Sequence, residues 1–152
     1  MIQSLIITLI IAVSFVYPGN TNWLLGLSIT TFLTLIGNVC CGLAISSFVQ
    51  NPNEANSILP LILLAQTVFA GVLFELKGKV EILANSMLSR WSIRAYGSLV
   101  DIQSLVHPNL KDTFDIYVAN NNNLMLSWFS LIGLSLLYLG FSYWQLKGKK
   151  EY

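Results

Sequence analysis

The chain has 152 residues, 55% of them hydrophobic and 10% charged, with a net charge of +1 and a mean hydropathy of +0.67. An average soluble domain carries roughly 25% charged residues. Here the charge is also badly distributed: reading from Met1, the first charged side chain is Glu54, and all eight Lys and Arg and all seven Asp and Glu lie from there onward. A soluble domain needs charge around its whole surface, so this composition excludes most soluble folds and disorder and points to the bilayer. The near-zero net charge gives no basic footprint for nucleic acid.

The pattern predicts an all-α, polytopic membrane protein. It forms one transmembrane domain over 1–152, with spans at about 1–17, 23–48, 58–76 and 124–144. The first run ends at Tyr17. At ~1.5 Å per residue it reaches about 25 Å, slightly short of the ~30 Å hydrocarbon core. A signal peptide would want a positive n-region, and Met1-Ile2-Gln3-Ser4 has no charged side chain, which favours a short span. Pro18-Gly19-Asn20-Thr21-Asn22 supplies turn residues. The second run, Trp23 to Phe48, is uncharged and long enough to span with tilt, with Trp23 at an interfacial position.

Gln50 to Ser57 reads as a short polar loop, with Asn56 or Ser57 as cap of the next helix. The third run is Ile58 to Leu76, with Pro60 in its first turn, where the missing N–H is harmless. Glu75 near its end reads as a snorkelling residue or a partner of Lys77 or Lys79, with a proton or cation handle as the alternative. The loop at about 77–123 opens with apolar residues at helical spacing: Val80, Leu83, Ala84, Met87, Leu88 and Trp91, then Ala95, Leu99, Ile102 and Val106. Glu81, Asn85, Ser89 and Ser92 fall largely on the other side. One or two amphipathic helices are expected, lying in the interface or dipping into the membrane and ended by His107-Pro108-Asn109. The fourth run, Leu124 to Trp144, follows four asparagines and leads to Lys147, Lys149 and Lys150. Four spans put both termini on one side, and the Lys and Arg counts of loop and tail do not decide which.

Gly26, Thr30, Thr34, Asn38, Gly42 and Ser46 recur at unbroken steps of four along the second run. Small residues let helices approach and hydroxyls bond across them, so this stripe is expected to pack against protein. The alternative is a polar wall of a transport path. Arg90 and Arg94 stand one turn apart, with lipid phosphates, Asp101 or a neighbouring helix as possible partners. Cys40 and Cys41 read as small packing residues, and His107, the only histidine, as a structural or solvated loop residue. No G-x-x-x-x-G-K-S/T and no H-E-x-x-H occurs, so nucleotide and zinc chemistry lack their usual ligands.

Three stretches, in order, resemble the permease domain of G-subfamily ABC exporters, within the type-two ABC transporter class. The first is Gly42-Leu43-Ala44-Ile45-Ser46-Ser47-Phe48-Val49. The second is Leu61 through Leu76, where Phe69-Ala70-Gly71-Val72-Leu73-Phe74 is similar to a Phe-Ser-Gly-hydrophobic signature. The third is Leu88 to Gly97, similar to a P-x-R-W/Y-x-x-E-A-L segment of re-entrant helices and containing Arg90, Trp91 and Arg94. Leu88 replaces the usual Pro, and Arg94 the usual Glu.

The resemblance implies that the four runs are the family's last four spans. It also implies cytoplasmic termini, an outer loop with re-entrant helices, and a bacterial-type inner or plasma membrane. Transport would occur by alternating access in a dimer of permease domains. Leu63, Gln66 and Thr67 would face the cavity, with Val72 and Leu73 as its hydrophobic plug. The chain itself is then no enzyme. An ABC ATPase subunit or domain, with its ATP and Mg, and other spans or a second permease copy are the implied partners. A non-transporting subunit that scaffolds a larger membrane complex is the alternative, and a membrane enzyme finds least support, since no nucleophile–base or metal set is visible.

Overall fold

The computed structural model describes residues 2–14, 23–49, 51–71, 79–100 and 121–149, and among these the only regular structure is helical. The helices are α1 (Ile2–Ser14), α2 (Trp23–Phe48), α3 (Pro52–Val68), α4 (Lys79–Asn85), α5 (Leu88–Val100) and α6 (Asn121–Lys149). The expected turn at 18–22 and the end of the amphipathic segment at 107–109 lie outside the described residues. So do Val72, Leu73 and Glu75.

Two described helices, α2 and α6, are long and apolar enough to cross a membrane. With 26 and 29 residues they reach about 39 and 43 Å at ~1.5 Å per residue. α1 is apolar but only 13 residues long. The third run differs from expectation. Its helix starts at Pro52, because Asn51 takes an extended conformation (φ −125°, ψ 142°) and its carbonyl accepts the amides of Glu54 and Ala55. Asn56 and Ser57 are therefore helical rather than capping, and Pro60 lies in the helix interior. The described helix ends at Val68, and the rest of the expected run, from residue 72 to Leu76, lies outside the described residues. The Phe69 amide closes on the Ala65 carbonyl at 2.9 Å, and Gly71 turns the chain with φ 82°, a conformation glycine adopts without a side-chain clash. The last run is longer than expected and takes in Asn121 to Asn123 at one end and Lys147 at the other.

Inter-helix contacts fix directions and register. Thr30 and Gly37 of α2 meet Trp128 and Ser135 of α6, so these helices run parallel. Along α5, Leu88, Ser92, Tyr96 and Leu99 meet Gly37, Thr34, Thr31 and Gly26 of α2 in turn. α5 therefore runs antiparallel to α2, and equally to α6, where Arg94 meets Asn123 near the helix start. No residue of α5 is exposed. The polar side of α5 turns inward because α2 offers it hydroxyl partners.

The core sits where the three helices converge. Leu88 and Leu131 are 1% and 0% exposed, with Cys41 beside them and Leu33, Ile45, Trp91, Leu134 and Tyr138 packed around. Gly37 makes the approach possible. A Cβ on it would lie 2.8 Å from Leu88 Cδ2 and 3.2 Å from Ser135 Oγ, whereas one on Gly42 would meet nothing within 4 Å. Overpacking of this kind costs about 1–3 kcal/mol. Gly37→Val is accordingly expected to lower the thermal midpoint of the detergent-solubilised protein, and Gly42→Ala to leave it nearly unchanged, as read by fluorescence-detected size-exclusion after heating.

Candidate functional site

The polar stripe of α2 splits into two halves. Gly26 and Thr30 are buried and Thr34 half-buried, while Asn38 and Ser46 are exposed and Gly42 has open space beside it. The reason is helical pitch: steps of four advance about 40° beyond a full turn, so a long i+4 ridge winds off one face. The buried line instead passes from Thr30 to Gly37, Cys40 and Cys41, Ala44 and Ser47. It advances by seven residues from Thr30 to Gly37 and by three or four from there on, close to the spacing that two nearly aligned helices require.

Thr30, fully buried, donates to the Gly26 carbonyl at 2.8 Å and accepts from Trp128 Nε1 at 2.9 Å. Thr31 donates to the Leu27 carbonyl at 2.8 Å and accepts from the Tyr96 hydroxyl at 3.0 Å. Thr34 Oγ1 has the Thr30 carbonyl at 2.8 Å and Ser92 Oγ at 3.1 Å within reach of its proton. Each threonine spends its donor on its own helix or a neighbour and leaves a lone pair for a partner. On α6 the matching face carries buried Ser127, Leu131, Ser135 and Ser142. This serine line was missed from sequence, although its spacing of eight and seven residues is a helical-face signal.

A second polar node joins α3 to the bundle. Gln66, buried at 6% exposure, donates through Nε2 to Cys41 Sγ at 3.7 Å and accepts from Ser89 Oγ at 3.3 Å. Leu63 and Thr67, the other residues singled out on this helix, are exposed and share its outward face, with Thr67 donating to the Leu63 carbonyl. Gln66 thus ties α3 inward while Leu63 and Thr67 look away from the described helices.

The arginines of α5 find different partners. Arg90, 8% exposed, has its guanidinium 3.3 Å from Glu81 Oε1 on α4. Arg94 donates to Asn123 Oδ1 at 3.0 Å, and its guanidinium carbon lies 5.5 Å from the Trp91 ring centroid, within cation–π range. The Trp91 indole N–H donates to the Asn85 carbonyl at 2.7 Å. Glu81 could not be matched to Arg90 by helical periodicity, because the turn at Ser86 and Met87 separates them. Among the described residues no three His, Cys, Asp or Glu side chains gather to hold a metal ion. What the geometry offers is a hydrogen-bonded helix assembly in which α3 turns Leu63 and Thr67 outward.

The chain is similar to the ABC transporter ATP-binding/permease protein Rv1747 of Mycobacterium tuberculosis (strain ATCC 25618 / H37Rv), with 27% identity over 162 residues. The match covers 97% of this chain but 18% of that protein. No protein-family model and no solved structure matches.

The Thr30–Trp128 bond joins helices of distant sequence and is the clearest single test of the seam. Hydrogen bonds between membrane helices average about 0.6 kcal/mol and reach about 1.7. A double-mutant cycle with Thr30→Val and Trp128→Phe, measured by unfolding in mixed micelles, is expected to give a coupling energy in this range.

Proposed function

We infer that this chain is part of the permease of an ABC-type exporter and forms part of a translocation path by alternating access. The observation that carries the reading is the likeness to an ATP-binding/permease protein along nearly the whole chain. The fold supports it. α2 and α6 are both long enough to span and run parallel, so two crossings in one direction need a return crossing between them. The segment from α3 onward is the candidate for it, and α1 would precede α2 from the other side, which gives four spans. The contact of Leu88 with Gly37 and Ser135, near the middles of α2 and α6, supports a re-entrant α4–α5 hairpin.

In this reading both termini are cytoplasmic and the loop containing α4 and α5 enters from outside. The outward face of α3 carries Leu63 and Thr67 to the central cavity between two permease domains. Gln66 holds that face in position, and Val72 and Leu73 close the path by excluding water. Nucleotide, Mg and hydrolysis belong to an ABC ATPase domain outside these residues.

Purification from native membranes in mild detergent is expected to bring along a polypeptide that photo-crosslinks to azido-ATP. A stable, monodisperse complex with no ATP-binding component would overturn the transporter reading. The dimer geometry is tested separately. Leu63→Cys is expected to cross-link to a second permease domain with a short bis-maleimide, while Phe129→Cys, 73% exposed on α6, is expected to stay uncoupled.

A further inference from the structure

We propose that the Glu81–Arg90 ion pair is a clasp that seats α4 against α5, and that closing and opening it moves α4 as a flap on the hinge at Ser86 and Met87. The first support is the distribution of contacts along α4. Near the hinge it is held several times over. The Ser86 and Met87 amides donate to the Leu83 and Ala84 carbonyls at 3.1 and 3.0 Å, Trp91 holds the Asn85 carbonyl, and the Tyr138 hydroxyl donates to the Ser86 carbonyl at 3.2 Å. Away from the hinge, Val80 and Ile82 are 41% and 71% exposed. Among the described residues, a side-chain ion pair in the first turn of α4 joins Glu81 to Arg90. A seven-residue helix, about 10 Å long, is thus pinned beside the hinge and clasped at Glu81.

The second support is burial. Arg90 lies two residues from Leu88, in the part of α5 that meets the middles of α2 and α6, and its side chain is 9% exposed against 49% for Glu81. A buried guanidinium without a counter-charge is strongly unfavourable, far more so with lipid than with water around the bundle. Arg90 therefore holds Glu81 in place, and losing either charge releases α4. The polar links from Ser89 to Gln66 and from Ser92 to Thr34 lie on α5, not α4. Opening the clasp thus frees α4 without dismantling the seam.

The clasp rests on the membrane reading above, and its test separates the two. The probe is Ala84→Cys, at a position with no exposed surface, in the full chain with Cys40→Ala and Cys41→Ala, reconstituted into liposomes and treated with a maleimide. With the clasp intact, labelling is expected to be slow. Glu81→Gln and Arg90→Gln should each speed it by on the order of tenfold. The swapped pair Glu81→Arg with Arg90→Glu should return it close to the starting rate. Labelling unchanged by Glu81→Gln would overturn the clasp, as would a swapped pair as reactive as the single variants. Alkaline carbonate washing of the same liposomes gives the second readout. A chain that washes off removes the membrane reading and the clasp together, whereas a retained chain with unchanged labelling removes the clasp alone.

Discussion

Polar side chains inside a bundle of apolar helices have no water to turn to, so each one must find a partner within the fold. α5 is where this constraint bears hardest. It carries three serines, a tyrosine and two arginines, and none of its residues is exposed. It can lie there because α2 presents Thr31 and Thr34 on the side it meets, and because Gly26 and Gly37 let the two backbones come close. α6 then closes the other flank with Trp128 on Thr30 and Asn123 on Arg94. The parallel course of α2 and α6, the depth of the α4–α5 turn and the inward pull on α3 through Ser89 and Gln66 all follow from that seating.

The arrangement divides the chain into a fixed part and an offered part. The seam between α2, α5 and α6 is dense with short hydrogen bonds and fully buried side chains. α3 is held at Gln66 by two long contacts, 3.7 Å to Cys41 and 3.3 Å to Ser89, and presents leucines outward at 59–70% exposure for Leu61, Leu63 and Leu64. The permease reading proposed above would use both, the seam as a frame that keeps its shape and α3 as a wall.

Much of the helical content was legible in the sequence, because uninterrupted apolar runs such as Trp23–Phe48 admit few other structures. Boundaries were less legible. The third helix begins in Pro52-Asn53-Glu54, residues that read as loop by type, because proline at a first helical position and an extended Asn51 start a helix as well as they end one. The stripe from Gly26 to Ser46 was visible, but only Gly26, Thr30 and Thr34 lie in the seam, since pitch carries the later members off that face. The partners of α5 were not legible. Ser92 and Thr34 are 58 residues apart, and Trp128 and Thr30 are 98 apart. Nothing in local periodicity encodes pairing over such distances. Leu88 looked like a departure from a familiar segment, yet it is the side chain on which three helices close.

The threonines of α2 bear on how such a molecule can be made. Thr30, Thr31 and Thr34 each reach the carbonyl one turn back on their own helix, and Ser127 and Ser135 of α6 do the same. α2 can therefore enter lipid during synthesis with its hydroxyl protons already satisfied, well before the ribosome has produced Tyr96 or Trp128. The later helices then bring the Tyr96 and Trp128 donors to lone pairs that the threonines have left open.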